Sequence, residues 1–110
     1  MANGIMGQLS LPDANMNLIA TVTTNCLYAE IDILVLNGTG ADVSVQIAVT
    51  PNSSSAPSAE HYIENGGIAK AGGGSIEHTC RKVSAGSKIF AKAAAGVVVN
   101  VSGVCKTKRN

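Results

Sequence analysis

An all-β fold, an antiparallel β-sandwich of about seven to eight short strands with an extended N-terminal arm, is what this 110-residue sequence predicts, on three observations. Val and Ile together number 20 and Thr 7, against 6 Leu, and β-branched side chains suit a pleated surface better than a helix stripe. The best-patterned stretches alternate apolar and polar residues with period two. Gly, Pro and Asn punctuate the chain at short intervals, as turns between short strands require.

Residues 1–15 follow neither period. Ile5, Met6, Leu9 and Leu11 are interrupted by Gly4, Gly7 and Pro12, which predicts an arm that tucks along its own sandwich or crosses to a neighbouring subunit. The sandwich proper is expected over residues 16–105. Leu18, Ala20 and Val22 share one side of a strand over 17–24. Leu27, Ala29, Ile31, Ile33 and Val35 form the buried face of the next, with Tyr28, Glu30 and Asp32 outward. Val43, Val45, Ile47 and Val49 repeat the pattern. The intervening Asn37-Gly38-Thr39-Gly40 predicts a hairpin, because both Asn and Gly accept positive φ. Weaker strands are expected near 61–63 and 75–82. A second hairpin is expected between 88–92 and 97–102 around Ala94-Ala95-Gly96. Residues 51–57 and 65–74 read as surface loops. Residues 106–110 form a short basic tail.

Composition bounds the function. A chain of 11.1 kDa has the length of one folded domain, with roughly 5,700 Å² of folded surface expected. No apolar run reaches the roughly 20 residues of a membrane helix, and the absence of any basic residue before Lys70 gives no secretory n-region. Only 14% of residues are charged, where globular domains carry about 25%, so the surface is one that contact could cover. The charges are also segregated. Residues 1–69 hold six acids and no base, a net −6, and residues 70–110 hold eight bases and one acid, a net +7. That is either chance in a small sample or a pair of complementary docking patches.

Candidate chemistry is sparse. Cys26, Cys80 and Cys105 with His61 and His78 lack the Cys-x-x-Cys spacing of structural zinc sites, so neither a metal nor another cofactor is expected. An odd cysteine count argues against a closed disulfide framework, leaving open a Cys80–Cys105 bridge or a link between subunits. Ser, Cys, His and Asp occur without a strained nucleophile motif, and Gly72-Gly73-Gly74 lacks phosphate-loop spacing; an enzyme is not expected. Tyr28, Tyr62 and Phe90 are the only aromatic residues, a poor supply of platforms for glycan or single-stranded nucleic acid.

The segment from Ser84-Ala85-Gly86-Ser87-Lys88-Ile89-Phe90 through Val97-Val98-Val99-Asn100-Val101-Ser102-Gly103 resembles the closing hairpin of small virion structural proteins of tailed bacteriophages. The order of the earlier pieces is similar too: the Asn37-Gly38 turn, a valine-rich strand, and Ala59-Glu60-His61-Tyr62-Ile63-Glu64 before a glycine loop. The likeness spans about residues 17–104. The arm, the triple glycine and the basic extension depart from it, and it carries no catalytic residues. The resemblance implies a non-enzymatic virion protein, made in the host bacterial cytoplasm, decorating or cementing the capsid or collar in many copies. A tail, baseplate or fibre subunit is the alternative, and a glycan- or nucleic-acid-binding module the rival from another class. The expected partners are its own copies and other virion proteins, with no membrane. Ile5, Leu9 and Leu11 of the arm and Lys106, Lys108 and Arg109 of the tail are the candidate assembly residues.

Overall fold

Alternation along residues 29–35 puts Ala29, Ile31, Ile33 and Val35 on one side of an extended chain, and in the computed structural model all four are fully buried. The structure describes residues 3–22, 26–50 and 61–107. Among them the chain forms β1 (Asn3–Ser10), β2 (Asn17–Thr21), β3 (Cys26–Asn37), β4 (Val43–Thr50), β5 (Tyr62–Ala69), β6 (Gly74–Ser84), β7 (Lys88–Lys92) and β8 (Val98–Thr107), with no helix. Two four-stranded sheets result, ordered β1-β8-β3-β6 and β2-β7-β4-β5. All pairs are antiparallel. The all-β sandwich expectation is met.

The pairing has a simple logic. β1 pairs with β8, β2 with β7, β3 with β6 and β4 with β5, so the first half of the chain lies antiparallel to the second as one long ribbon. Folded over itself, that ribbon gives the eight-stranded double-sheet arrangement of a jelly roll. The inward faces meet in one core that includes Val22, Ile47, Ile89, Val99 and Val101. The chain exposes 5830 Å².

This topology corrects both hairpin expectations. β3 and β4 lie in different sheets, as do β7 and β8, so each of those connections crosses between layers. Neither Asn37 nor Gly38 has a positive φ, and without it the tight turn that would keep two strands in one sheet cannot form. Asn37 turns inward and is buried. Its Nδ2 donates to the carbonyls of Ala41 (2.8 Å) and Ala69 (2.9 Å), and its Oδ1 accepts from the N–H (2.9 Å) and hydroxyl (2.6 Å) of Thr39. At the other crossover, Gly96 N–H donates to the Leu11 carbonyl (2.9 Å) and Leu11 N–H to the Val97 carbonyl (2.8 Å). The residues after β1 thus capture the turn.

Residues 3–10 of the expected arm take one of its two expected courses, along the chain's own sandwich, as edge strand β1, whose register shifts between Ile5 and Gly7 and so hides the period-two signal. Two further expectations change. Asn65-Gly66-Gly67 belong to β5 and not to a loop, because register shifts in the β4–β5 ladder absorb the glycines; the turn is confined to Ala71–Gly73. Leu27 does not join the buried face: it is 53% exposed, beside a register shift between Cys26 and Tyr28. The loop expected over 51–57 lies outside the described residues.

Candidate functional site

The outer face of the β1-β8-β3-β6 sheet gathers the polar groups that the core leaves over. From β3 it receives Tyr28, Glu30, Asp32, Leu34 and Leu36, the alternates of the core set. From β8 come Asn100 opposite Leu34 and Ser102 opposite Asp32, and from β6 comes Glu77, also opposite Leu34. Asp32, Leu34, Glu77, Asn100 and Ser102 line a shallow groove of about 270 Å³. One carboxylate is already committed: Asp32 Oδ1 accepts the N–H of Cys80 at 2.9 Å. That N–H belongs to a bulge in which Thr79 and Cys80 of β6 face Asp32 alone, between the pairs Ile31–Arg81 and Ile33–His78. Asn100 Oδ1 is buried without a hydrogen-bond partner. Every side-chain polar atom offered by the two acids, and this amide oxygen, is an acceptor. The groove therefore suits a cationic donor.

At the far end of the face, the Lys82 ammonium sits 4.8 Å from the Tyr28 ring centre in cation–π contact. The ring is thus already covered as a stacking platform. Glu30 stands opposite Lys82, and Asp42 pairs with Lys70 at 3.5 Å. Acids from the first half meet bases from the second because the ribbon lays the halves together. Part of the segregated charge is therefore met inside the chain, where opposite charges across a ladder favour the correct register. Asp42 also accepts the Ala71 N–H at 2.8 Å, and that bond, aided by Lys70, holds its carboxyl below the ordinary value.

Between the sheet edges, His78 Nε2 lies 2.9 Å from Glu64 Oε1 and Arg81 Nη2 lies 3.2 Å from His78 Nδ1. A guanidinium only donates, so Nδ1 accepts and the ring proton on Nε2 goes to Glu64. Both ring nitrogens are engaged, and the exposed Cys80 thiol has no base in His78. Cys80 is a free thiol while Cys105 is disulfide-bonded, so of the pairings the sequence leaves open the Cys80–Cys105 bridge does not form. The Cys26 side chain lies outside the described residues. Among the described residues no group of three or more His, Cys, Asp or Glu is placed to hold a metal ion.

No protein-family model, no curated protein and no solved structure matches the chain. What the molecule can bind follows from its own surface.

Of the candidate assembly residues, the described ones, Leu9, Leu11 and Lys106, do not converge. Leu11 is 2% exposed and belongs to the core, and Leu9 packs partly against it, so neither the Leu11 side chain nor most of Leu9 is left to a partner. Lys106 lies opposite Tyr28, at the end of the sandwich away from Leu11. Lys108, Arg109 and the Ile5 side chain lie outside the described residues. The groove was not anticipated. Asp32 was legible as outward, but only the crossing topology puts Asn100 and Glu77 beside it.

Proposed function

We propose that this chain is a non-enzymatic structural protein of a bacteriophage virion, decorating or cementing the head or collar in many copies. The observation that supports this best is the character of the two outer sheet faces. Leu36 on one face and Leu18 and Ile68 on the other are 41%, 48% and 53% exposed, in a chain with few charges to keep such faces apart. Large apolar side chains exposed on a lightly charged sheet suit burial against neighbours. The double-sheet topology is one that viral capsid domains use, a likeness of architecture and not of site. The phage assignment rests on the resemblance of residues 17–104.

Mass spectrometry of purified particles, combined with image reconstruction, tests the reading. The chain is expected in the particle in hundreds of copies on the shell or collar. A few copies would place it in the tail or baseplate, and a particle without it would overturn the proposal.

A further inference from the structure

We infer that the acidic groove on the β1-β8-β3-β6 face receives the Lys92 ammonium from the β2-β7-β4-β5 face of a second copy of this chain. The inference deepens the structural reading above by naming the partner and the contact.

Charge complementarity carries it. The groove presents Glu77 and the second oxygen of Asp32, with Ser102 and Asn100 in its lining; the Asn100 Oδ1 itself is buried and unpartnered. Glu77 has no ion pair among the described residues, and it is the one acid of residues 70–110, with no base in residues 1–69 to meet it. The opposite outer face is basic. Lys92 lies across from Gln46, whose other neighbour is Asn65, and Lys88 lies further along the same strand. Lys92 is exposed and likewise forms no ion pair among the described residues. One face thus holds carboxylate oxygens without an ion pair, and the other holds Lys92, one of the lysines that form none among the described residues.

Apolar residues frame both sides. Leu36 follows Leu34 along β3 beside the groove, and Ile68, opposite Ser44 on β5, stands on the Lys92 face. Four strands about 4.8 Å apart and about eight residues long at about 3.3 Å each present roughly 500 Å² per face. Some 1,000 Å² per contact is the lower limit for a specific interface. Such a contact is weak in isolation and strong when repeated. Joining unlike faces makes it heterologous, so copies continue into a ring or an array instead of stopping at a two-fold dimer.

The test is sedimentation of the full chain at low and high salt, using Glu77→Lys, Lys92→Glu and the double variant. Wild type is expected to self-associate, more weakly at high salt. Each single variant sets like charges together and should weaken association about tenfold or more. An equimolar mixture of the two single variants, and the double variant alone, should recover it, because opposite charges then face each other again, with their signs exchanged at every contact of the double variant and at alternate contacts of the mixture. The recovery guards against misfolding as the cause of loss. A wild-type chain that stays monomeric at low salt, single variants that associate like wild type, or a mixture that does not recover would each overturn the inference. A chain found in the particle as separated single copies would overturn it while leaving the virion reading standing; ordered self-association of a chain absent from particles would do the reverse.

Discussion

The N–H of Cys80 donates to Asp32 Oδ1 across the β3–β6 ladder at 2.9 Å, and Cys80 is the one non-glycine residue with positive φ, 56°, among the described residues. The two facts are linked. The extra residue opposite Asp32 leaves one position of this bulge, Cys80, in the left-handed region, and the side-chain carboxylate replaces the ladder bond the bulge removes. Left-handed backbone costs a residue with a Cβ about 1–2 kcal/mol, a cost glycine escapes but partly returns through a more flexible unfolded chain. Cys80→Gly is therefore expected to raise stability by about 0.5 kcal/mol, and Cys80→Val to lower it by about 1–2 kcal/mol. Asp32→Ala should cost about 1 kcal/mol by orphaning the N–H. Urea denaturation of the three variants checks the order, which a bulge of no energetic consequence would not produce.

Asn37 ties two crossovers together. Its side chain bonds Ala41 and Thr39 in the β3–β4 connection and the Ala69 carbonyl at the end of β5, while its own carbonyl accepts the Gly73 N–H at 2.8 Å. Because the residue is fully buried, truncation leaves several groups without partners. Asn37→Ala is expected to cost about 3 kcal/mol, a fall in melting temperature of about 10 °C or more for a domain of this size. A loss under about 1 kcal/mol would mean that water replaces these bonds at little cost.

These two residues also mark how far local sequence reaches. Period-two alternation located β3 and β4, and so the sandwich, because burial on one face of a strand writes itself into neighbouring residues. The partner of each strand is a different matter. β1 and β8 pair across nearly the whole chain, and nothing local marks such a pairing. Asn37-Gly38 carried the composition of a hairpin, yet burying the Asn37 amide in a crossover prevailed over the turn preference. The acidic groove inherits this limit. Asp32 and Asn100 are each visible as outward residues, but their proximity exists only once β8 lies beside β3.

Two glycines report where strands close on each other, Gly7 of β1 against β2 of the other sheet and Gly103 of β8 against β3 of its own. A Cβ at Gly7 would run into the Ile19 carbonyl and stand 2.8 Å from Ala20 Cβ, and one at Gly103 would strike the Glu30 carbonyl and lie 2.9 Å from Ile31 Cα. Backbone neighbours yield little, so Gly7→Ala and Gly103→Ala are each expected to cost about 2–3 kcal/mol. Gly38 has open space around it and no positive φ. Gly38→Ala should leave stability unchanged or raise it by about 0.5 kcal/mol through a stiffer unfolded chain. Thermal unfolding of the three alanine variants separates the cases; equal losses at all three positions would contradict the packing described.

Acid sensitivity follows from two exposed carboxylates held below their ordinary value of 3.8. For Asp42 the main cause is the Ala71 N–H, helped by Lys70. For Asp13 it is the Asn15 N–H at 2.9 Å, helped by the Asn17 amide. A carboxyl depressed on folding binds its proton more readily in the unfolded chain, so stability from these bonds is fully present above about pH 4 and is lost as the pH falls through the folded-state values. The Asp13→Asn/Asp42→Asn double variant removes both titrations while keeping an oxygen acceptor at each site. Urea midpoints measured from pH 6 down to about pH 2 should therefore show wild type losing more stability than the double variant in the acid limb. Added salt should reduce only the Lys70 part, since it screens the charge pair but not the N–H bonds. Parallel acid limbs for the two proteins would mean that neither carboxylate differs between folded and unfolded chains.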